Sequence, residues 1–488
     1  MKLFDWVKDR LEPDHLLQSA MGSLIDLTGM RYALDRSPER WKPGRPLKLL
    51  FAGYVGTRNT GADVRVEEMI RQVRHVLGDD QLELTLMTVD PALSAGYFRT
   101  VRQVEMPVVF PKFLAEECPR HHGVIACEGS MFKSKFAGAL STMMAGALGM
   151  AAVEGKLSVG YGAEAGHMEP ALRRFVEKHC RHSLVLCRNE PSRVVLEELG
   201  IRTRGGTDTA WTFAPAPPGR GAELLRAQGW DGKTRVLAVC PINPFWWPVK
   251  PDLAKAVAHG LGGHYRKEHY KSIYFHAHGP EVERKYHAYL DGLARAIVEF
   301  GREREVFPIL VGMEQLDRKA CEALAGRLPQ RPPLFVSDTY DMYELVSVLR
   351  NCALMVSSRF HAIVTTMPGL VPSCGVTMDE RIRNLMTDRG HLDLFLEVDD
   401  PQLADKTLTM LRRLDRDGAK IAEEIARTVP RQLALMGQMG IDFLDEVLRV
   451  YPEFPRADRP RTWEHHLPSL SPGVRALLDR FPPPSQTP

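Results

Sequence analysis

The sequence has no C-x-x-C pair. Its eight cysteines stand singly at 118, 127, 180, 187, 240, 321, 352 and 374. A chain of 488 residues needs no disulfide staples. Val185-Leu186-Cys187 and Ala238-Val239-Cys240 set cysteines inside apolar runs, so they read as reduced, buried thiols of a cytoplasmic protein. Charge of one sign is also missing: 64 Lys+Arg against 61 Asp+Glu leave a formal net charge of +3. Nothing in that balance suggests a nucleic-acid partner. Neither Walker A nor G-x-G-x-x-G occurs. The first residues meet charge at Asp5, Lys8, Asp9 and Arg10 before any apolar run develops, so a secretory signal is not expected. The longest uncharged run, Phe136 to Val153, is mostly Ala, Gly, Ser, Thr and Met. Its small residues Ala137, Ser141, Ala145 and Gly149 recur every four positions. That predicts a buried helix crossed closely by another backbone rather than a membrane span.

What is present is ordinary globular material, 44% hydrophobic and 26% charged. The length suits two to four domains at roughly 150 residues each. Residues 1–45 read as a helical extension ending in a Pro-rich approach. A β/α alternation then runs through 46–218, with strands expected at 47–53, 82–88, 123–127, 157–161 and 183–187. Between the first two, Val66, Met69, Ile70, Val73, Val76 and Leu77 form the apolar stripe of a helix. Phe213 to Gly221 has linker composition. A second alternation fills 219–400, with strands expected at 235–240, 272–277, 306–311, 333–337, 353–358 and 372–376. Residues 401–450 read as helix. Residues 451–488 form a Pro-rich tail, read as an extended strap with a disordered last dozen. The predicted class is α/β: two Rossmann-like domains facing a cleft, since open parallel sheets bind ligands at the carboxyl ends of their strands.

Four strand-end segments carry candidate chemistry. Gly53 to Gly61, with Gly56 and Asn59, is a glycine loop between strand and helix, able to turn N–H groups on an anion. It serves equally as a tight turn, with Asn59 and Asp63 at the helix start. Cys127-Glu128-Gly129-Ser130 follows an apolar strand and can line a cleft, or supply an N-cap serine. Arg188 follows Val185-Leu186-Cys187, placed to grip a carboxylate or phosphate, or to pair with Glu190 or Glu197. Ser358-Arg359-Phe360-His361 joins a cation to a histidine at one turn; His titrates near neutrality and suits acid–base work. His276 and His278 have metal-compatible spacing without a third ligand in sequence, and no metal site is expected. Asp379-Glu380-Arg381 follows the last strand and can add charge to the cleft or simply start a helix.

In this order, the segments resemble the polysaccharide pyruvyl transferase family. The resemblance rests on Gly53 to Gly61, Glu128-Gly129-Ser130, Gly160-Tyr161-Gly162-Ala163-Glu164, Arg188-Asn189-Glu190-Pro191-Ser192 and Ser358-Arg359-Phe360-His361-Ala362 followed by Asp379, and spans about residues 47–390. It implies a GT-B-like fold. It also implies transfer of the enolpyruvyl group of phosphoenolpyruvate onto two hydroxyls of a saccharide or lipid-linked saccharide, leaving a pyruvate ketal and phosphate. His361 matches the catalytic histidine. Arg188 and Arg359, with Ser358, match the donor-binding set. Gly56, Asn59, Glu128, Gly129, Ser130, Glu164, His167 and Asp379 fall on the cleft or acceptor side. No cofactor beyond the donor is implied. Glu128 and Glu164 depart from the family's usually neutral loops, which suits a different acceptor or donor.

Two other functions fit the same residues. A nucleotide-sugar glycosyltransferase would use Arg359 and His361 on a diphosphate. A non-catalytic glycan- or partner-binding protein would use the tail and the amphipathic N-terminal helix (Phe4, Val7, Leu11) to dock on protein or membrane, although that helix also suits a domain cap.

Overall fold

The structure, a computed structural model, describes residues 13–34, 39–263, 272–378 and 380–483. Asp379 and the N-terminal positions Phe4, Val7 and Leu11 lie outside them. Two all-parallel sheets organise the chain. The first contains β1 (Leu47–Val55), β2 (Leu82–Thr88), β3 (Arg102–Glu105), β4 (Gly123–Ala126), β5 (Leu157–Ala163), β6 (Leu184–Cys187) and β7 (Arg202–Gly205), ordered β3-β2-β1-β4-β5-β6-β7. The second contains β8 (Arg235–Cys240), β11 (Val306–Gly312), β12 (Leu334–Val336), β13 (Leu354–Ser357), β14 (Ser373–Thr377) and β15 (Phe395–Glu397), ordered β12-β11-β8-β13-β14-β15. Both follow one plan: each sheet starts in the middle, grows to one side, then crosses back and grows to the other.

Central strands are apolar because helices cover both faces of a parallel sheet; β4 and β5 are buried at every position. The strands that hydrophobic runs did not reveal, β3, β7 and β15, are all sheet edges. Arg202-Thr203-Arg204-Gly205 buries only its threonine. An edge strand has one free side and needs no apolar run.

The expectation of a sheet strand at 272–277 is corrected. Tyr274–Phe275 (β10) pairs antiparallel with Lys250–Pro251 (β9) as a separate ribbon. The helical stretch 401–450 is two helices, Leu403–Arg416 and Gly418–Val450. The tail is not only a strap. Pro472–Arg480 is a helix, with Val474, Leu477 and Leu478 buried, so the last dozen residues begin inside ordered structure.

The small-residue run forms the helix Gly138–Val153, buried along most of its length. A side chain at Gly146 would meet Met21, and one at Gly149 would meet Ile25, both on the helix Pro13–Leu34. Among the described residues no helix is long and apolar enough to cross a membrane. All eight cysteines are buried and free.

The lobes touch directly. Thr60 N–H donates to Met313 O at 2.8 Å, Ser337 Oγ to Arg58 O at 2.6 Å, and Met342 N–H to the Tyr97 hydroxyl at 2.8 Å. Strand order reverses between β1 and β4 in one sheet and between β8 and β13 in the other. The loops leaving β1, β4 and β13 are therefore the glycine loop, Glu128-Gly129-Ser130 and Ser358–His361.

Candidate active site

A chain of alternating charge crosses the seam between the lobes. Lys133 Nζ lies 2.7 Å from Glu164 Oε2 and 2.7 Å from Glu380 Oε1. Glu164 Oε2 is also 2.9 Å from Arg188, and its Oε1 accepts from Asn189 at 2.7 Å. Arg188 donates to Asp208 Oδ2 at 2.8 Å, and the same oxygen lies 3.3 Å from His361 Nε2. Arg65 completes the set, 3.4 Å from Asp208 and donating to the carbonyls of Cys127, Tyr161 and Gly162 at 2.5 to 2.6 Å.

Charges so deeply buried persist only when paired. Burial alone raises the Glu164 pKa, but Arg188 and Lys133 outweigh it and hold it below the ordinary range. Burial is likewise outweighed at Asp208, where His361, Arg65 and Arg188 hold the carboxyl well below its usual value. His361 goes the other way. Burial lowers its pKa more than Asp208 restores it, with Arg188 and Arg65 adding to the depression.

Gly61 explains one glycine of the loop. A Cβ there would fall 2.3 Å from His361 Nδ1, so only glycine lets this helix start meet the ring. Gly129 does the same for Arg188, at 2.9 Å. Gly56, at φ +78°, forms the turn against Thr88 and Ser94. Asn59 is the helix N-cap, accepting from Ala62 N–H at 3.3 Å.

The second arginine sits in a different clamp. Arg359 donates to Asp317 Oδ2 at 2.8 Å and Glu314 Oε2 at 2.5 Å. It lines a cavity of about 250 Å³ together with Asn59, Glu128, Ser130 and Arg381. Phe136 and Trp247, edge-to-face at 5.8 Å, add an aromatic wall. Glu128 is pushed to a higher pKa by burial, and the Ser130 hydroxyl is buried without a partner. A smaller cavity on the other side contains Glu164, Arg188, Asp208 and Phe360, and Arg381 lines both.

Two expected site residues stand elsewhere. Ser358 turns its hydroxyl into its own lobe, against Val376 O and the Tyr289 hydroxyl, so its hydrogen bonds are spent within the lobe. His167 is exposed and lines neither cavity, because its loop is fixed by its backbone: its carbonyl accepts from Ser134 N–H at 3.0 Å. The proposed partners of Arg188 are also different: Glu190 pairs with Arg193 instead. Among the described residues no cluster of three or more His, Cys, Asp or Glu is arranged to hold a metal.

Sequence reading missed Asp208, Lys133 and Arg65 as site residues. Asp208 had a signal, an acid beside glycines in Gly205-Gly206-Thr207-Asp208, as Glu128 stands beside Gly129, but no apolar run ahead of it marked a strand end. Arg65 was hidden between Val64 and Val66 on a helix judged by its apolar stripe.

Residues 148–377 match the family model described as polysaccharide pyruvyl transferase, and the chain is accordingly an enzyme of the transferase type. The match contains Glu164, Arg188, Asp208, Arg359 and His361 and leaves Asn59 and Glu128 outside. No curated protein matches the chain. Among solved structures, Anabaena Alr3699/HepE, crystallised in complex with UDP-glucose, is similar over 83% of this chain and all of its own, at 11% identity and TM-score 0.53. A putative UDP-N-acetylglucosamine 2-epimerase from Listeria monocytogenes covers 86% of this chain and 99% of its own, at 12% identity and TM-score 0.48. The fold is GT-B-like.

Proposed function

We propose that the protein transfers the enolpyruvyl group of phosphoenolpyruvate to two hydroxyls of a saccharide or lipid-linked saccharide in the cytoplasm, forming a pyruvate ketal and releasing phosphate. One observation carries the reading. Arg188 from one lobe and His361 from the other converge on a single carboxylate oxygen of Asp208, at the seam between the lobes. The Arg188 guanidinium also lies 4.7 Å above the Phe360 ring, beside His361.

The donor carries a carboxylate and a phosphate, and arginine forks suit both. To bind, it exchanges with the carboxylates that hold Arg188 and Arg359. The buried Arg188 Nε has no acceptor and is ready for one. The donor's negative charge then raises the depressed His361 pKa, so the imidazole takes a proton as the donor arrives. His361 delivers that proton to the methylene carbon. A sugar hydroxyl attacks C2 and passes its proton back to the imidazole. Phosphate leaves with its bonding pair and takes the proton of the second hydroxyl as that oxygen closes the ketal.

The test is phosphate release from phosphoenolpyruvate with a panel of saccharide acceptors. Wild type should turn over, and His361→Ala should lose activity by at least about 100-fold while keeping its melting temperature. Undiminished turnover in that variant removes His361 from the mechanism. A second reading, transfer from a nucleotide sugar, draws support from the fold shared with a protein solved with UDP-glucose. Thermal shifts separate the two, because the donor that binds the native state raises its stability.

A further inference from the structure

We propose that Asp208 is a positioning residue for His361, holding the ring across the seam with the Nε2 hydrogen on the carboxylate and setting when the ring carries a second proton. The proposal rests on the pyruvyl-transfer reading for its catalytic consequence. Its geometry stands independently.

His361 is carried by the second lobe, on the helix Phe360–Thr366 that follows β13. Both things that fix its ring edges come from the first lobe. At Nε2 stands Asp208 Oδ2, 3.3 Å away, on the loop after β7. Beside Nδ1, the nitrogen left to carry and deliver the second proton, runs the Gly61 backbone, where a Cβ would close on it at 2.3 Å. The ring is also edge-on to Phe360, 5.1 Å between centroids. An imidazole on one lobe is thus oriented by the other, and the arrangement exists only when the lobes are docked.

Asp208 can do this because it stays ionised. Its side chain is 1% exposed, yet Arg188 and Arg65 both reach Oδ2. Its second oxygen, Oδ1, accepts from Ala210 N–H at 3.0 Å, which fixes the carboxylate plane. The charged groups that act on His361 are Asp208 after β7, Arg188 after β6 and Arg65 on the helix Thr60–Leu77. The two arginines disfavour an imidazolium, and Asp208 is the anion in contact with the ring that opposes them. Neutralising Asp208 removes that anion while both arginines stay, so the His361 pKa must fall.

The experiment compares Asp208→Asn with wild type in two measurements. In the pH profile of phosphate release, activity depends on protonated His361, so the basic limb should move about one unit toward acid, with kcat at pH 7 reduced about tenfold or more. Asp208→Glu should restore part of the limb's position. A purely structural role, serving only to hold Arg188, would raise KM for phosphoenolpyruvate and leave the limb in place; that outcome overturns the proposal.

The second measurement needs no turnover. Nitrogen-15 spectra of the histidine rings, with His361 assigned from the His361→Ala variant, should show a hydrogen on Nε2 in wild type and a lower titration midpoint in Asp208→Asn. An unchanged midpoint overturns the proposal even if activity falls. If wild type shows no phosphate release but the midpoint shifts as stated, the pyruvyl-transfer reading fails and the positioning role survives. If Asp208→Asn does not fold, the same spectra on Asp208→Glu decide, because moving the carboxylate by one methylene must still displace the midpoint.

Discussion

Arg188 and Arg359 both stand on loops leaving strands of parallel sheets, Arg188 after β6, near the edge of its sheet, and Arg359 after β13, beside the first strand of the other, and each is gripped by two carboxylates of its own lobe. Their surroundings nevertheless differ. Arg188 has a side chain 5% exposed, rests on Phe360 of the opposite lobe, and shares its carboxylates with Lys133, Arg65 and His361. Arg359 is 17% exposed, on the wall of the larger cavity, and its carboxylates serve it and a helix cap. The first clamp is part of what holds the lobes in register. The second is a local device beside open space. Position on a fold locates a cation, and only its neighbours decide whether it mainly supports or mainly binds.

Removing each cation should separate the two roles. Arg188→Ala leaves Glu164 and Asp208 buried without their shared partner and should cost about 3–5 kcal/mol in chemical denaturation. Arg359→Ala should cost less, about 1–3 kcal/mol, because the buried Asp317 it leaves already titrates near 6 and can take a proton in place of its partner, while removing the thermal shift with phosphoenolpyruvate. Equal stability losses would erase the distinction. Gly61→Ala tests the seam between the clamps. Its methyl must displace the His361 ring, and a misplacement of that order should reduce turnover about 100-fold.

The clamps should also respond oppositely to pH. Burial pushes Asp317 up to about 6 despite Arg359. A carboxyl whose folded pKa exceeds its unfolded value binds the proton more tightly when folded. Its contribution is full below about pH 4 and is lost as pH rises through about 6. Asp317→Asn should therefore gain melting temperature relative to wild type between pH 4 and 7. Asp208 has a depressed pKa, so its contribution is present above about pH 4 and lost only in stronger acid. Its own ionisation adds no pH dependence between pH 5 and 7, so any extra cost of Asp208→Asn at pH 5 reports the further lowering of the His361 pKa. The smallest effect belongs to Ser358→Ala, which loses hydrogen bonds inside its own lobe. It should cost about 1 kcal/mol and leave KM for the donor unchanged.

Much of this was legible because parallel strands must be apolar, so the sheet centres and their carboxyl-end loops announce themselves in sequence. The sheet edges did not, since β3, β7 and β15 are half solvated. The site divides the same way. Arg188, Arg359 and His361 sit directly after apolar strands, where an abrupt charge is conspicuous. Lys133 and Arg65 are conspicuous only once their partners are known, because what makes them unusual is burial. Glu128 and Glu164 looked alike as acids in loops that are often neutral. Only coordinates separate Glu128, which lines the larger cavity, from Glu164, locked between Lys133, Arg188 and Asn189.

The 33-residue helix Gly418–Val450 ties the lobes a second time. Near its start Glu424 pairs with His391 of the second lobe at 2.7 Å, and near its end Glu446 pairs with Arg202 of the first at 2.7 Å. Pro430 interrupts its ladder between those anchors. With the 206–234 connection, the polypeptide spans the divide at two separated places. A hinge with two pins permits swinging about one axis and resists twisting about the others, so substrate entry would follow a single reproducible path.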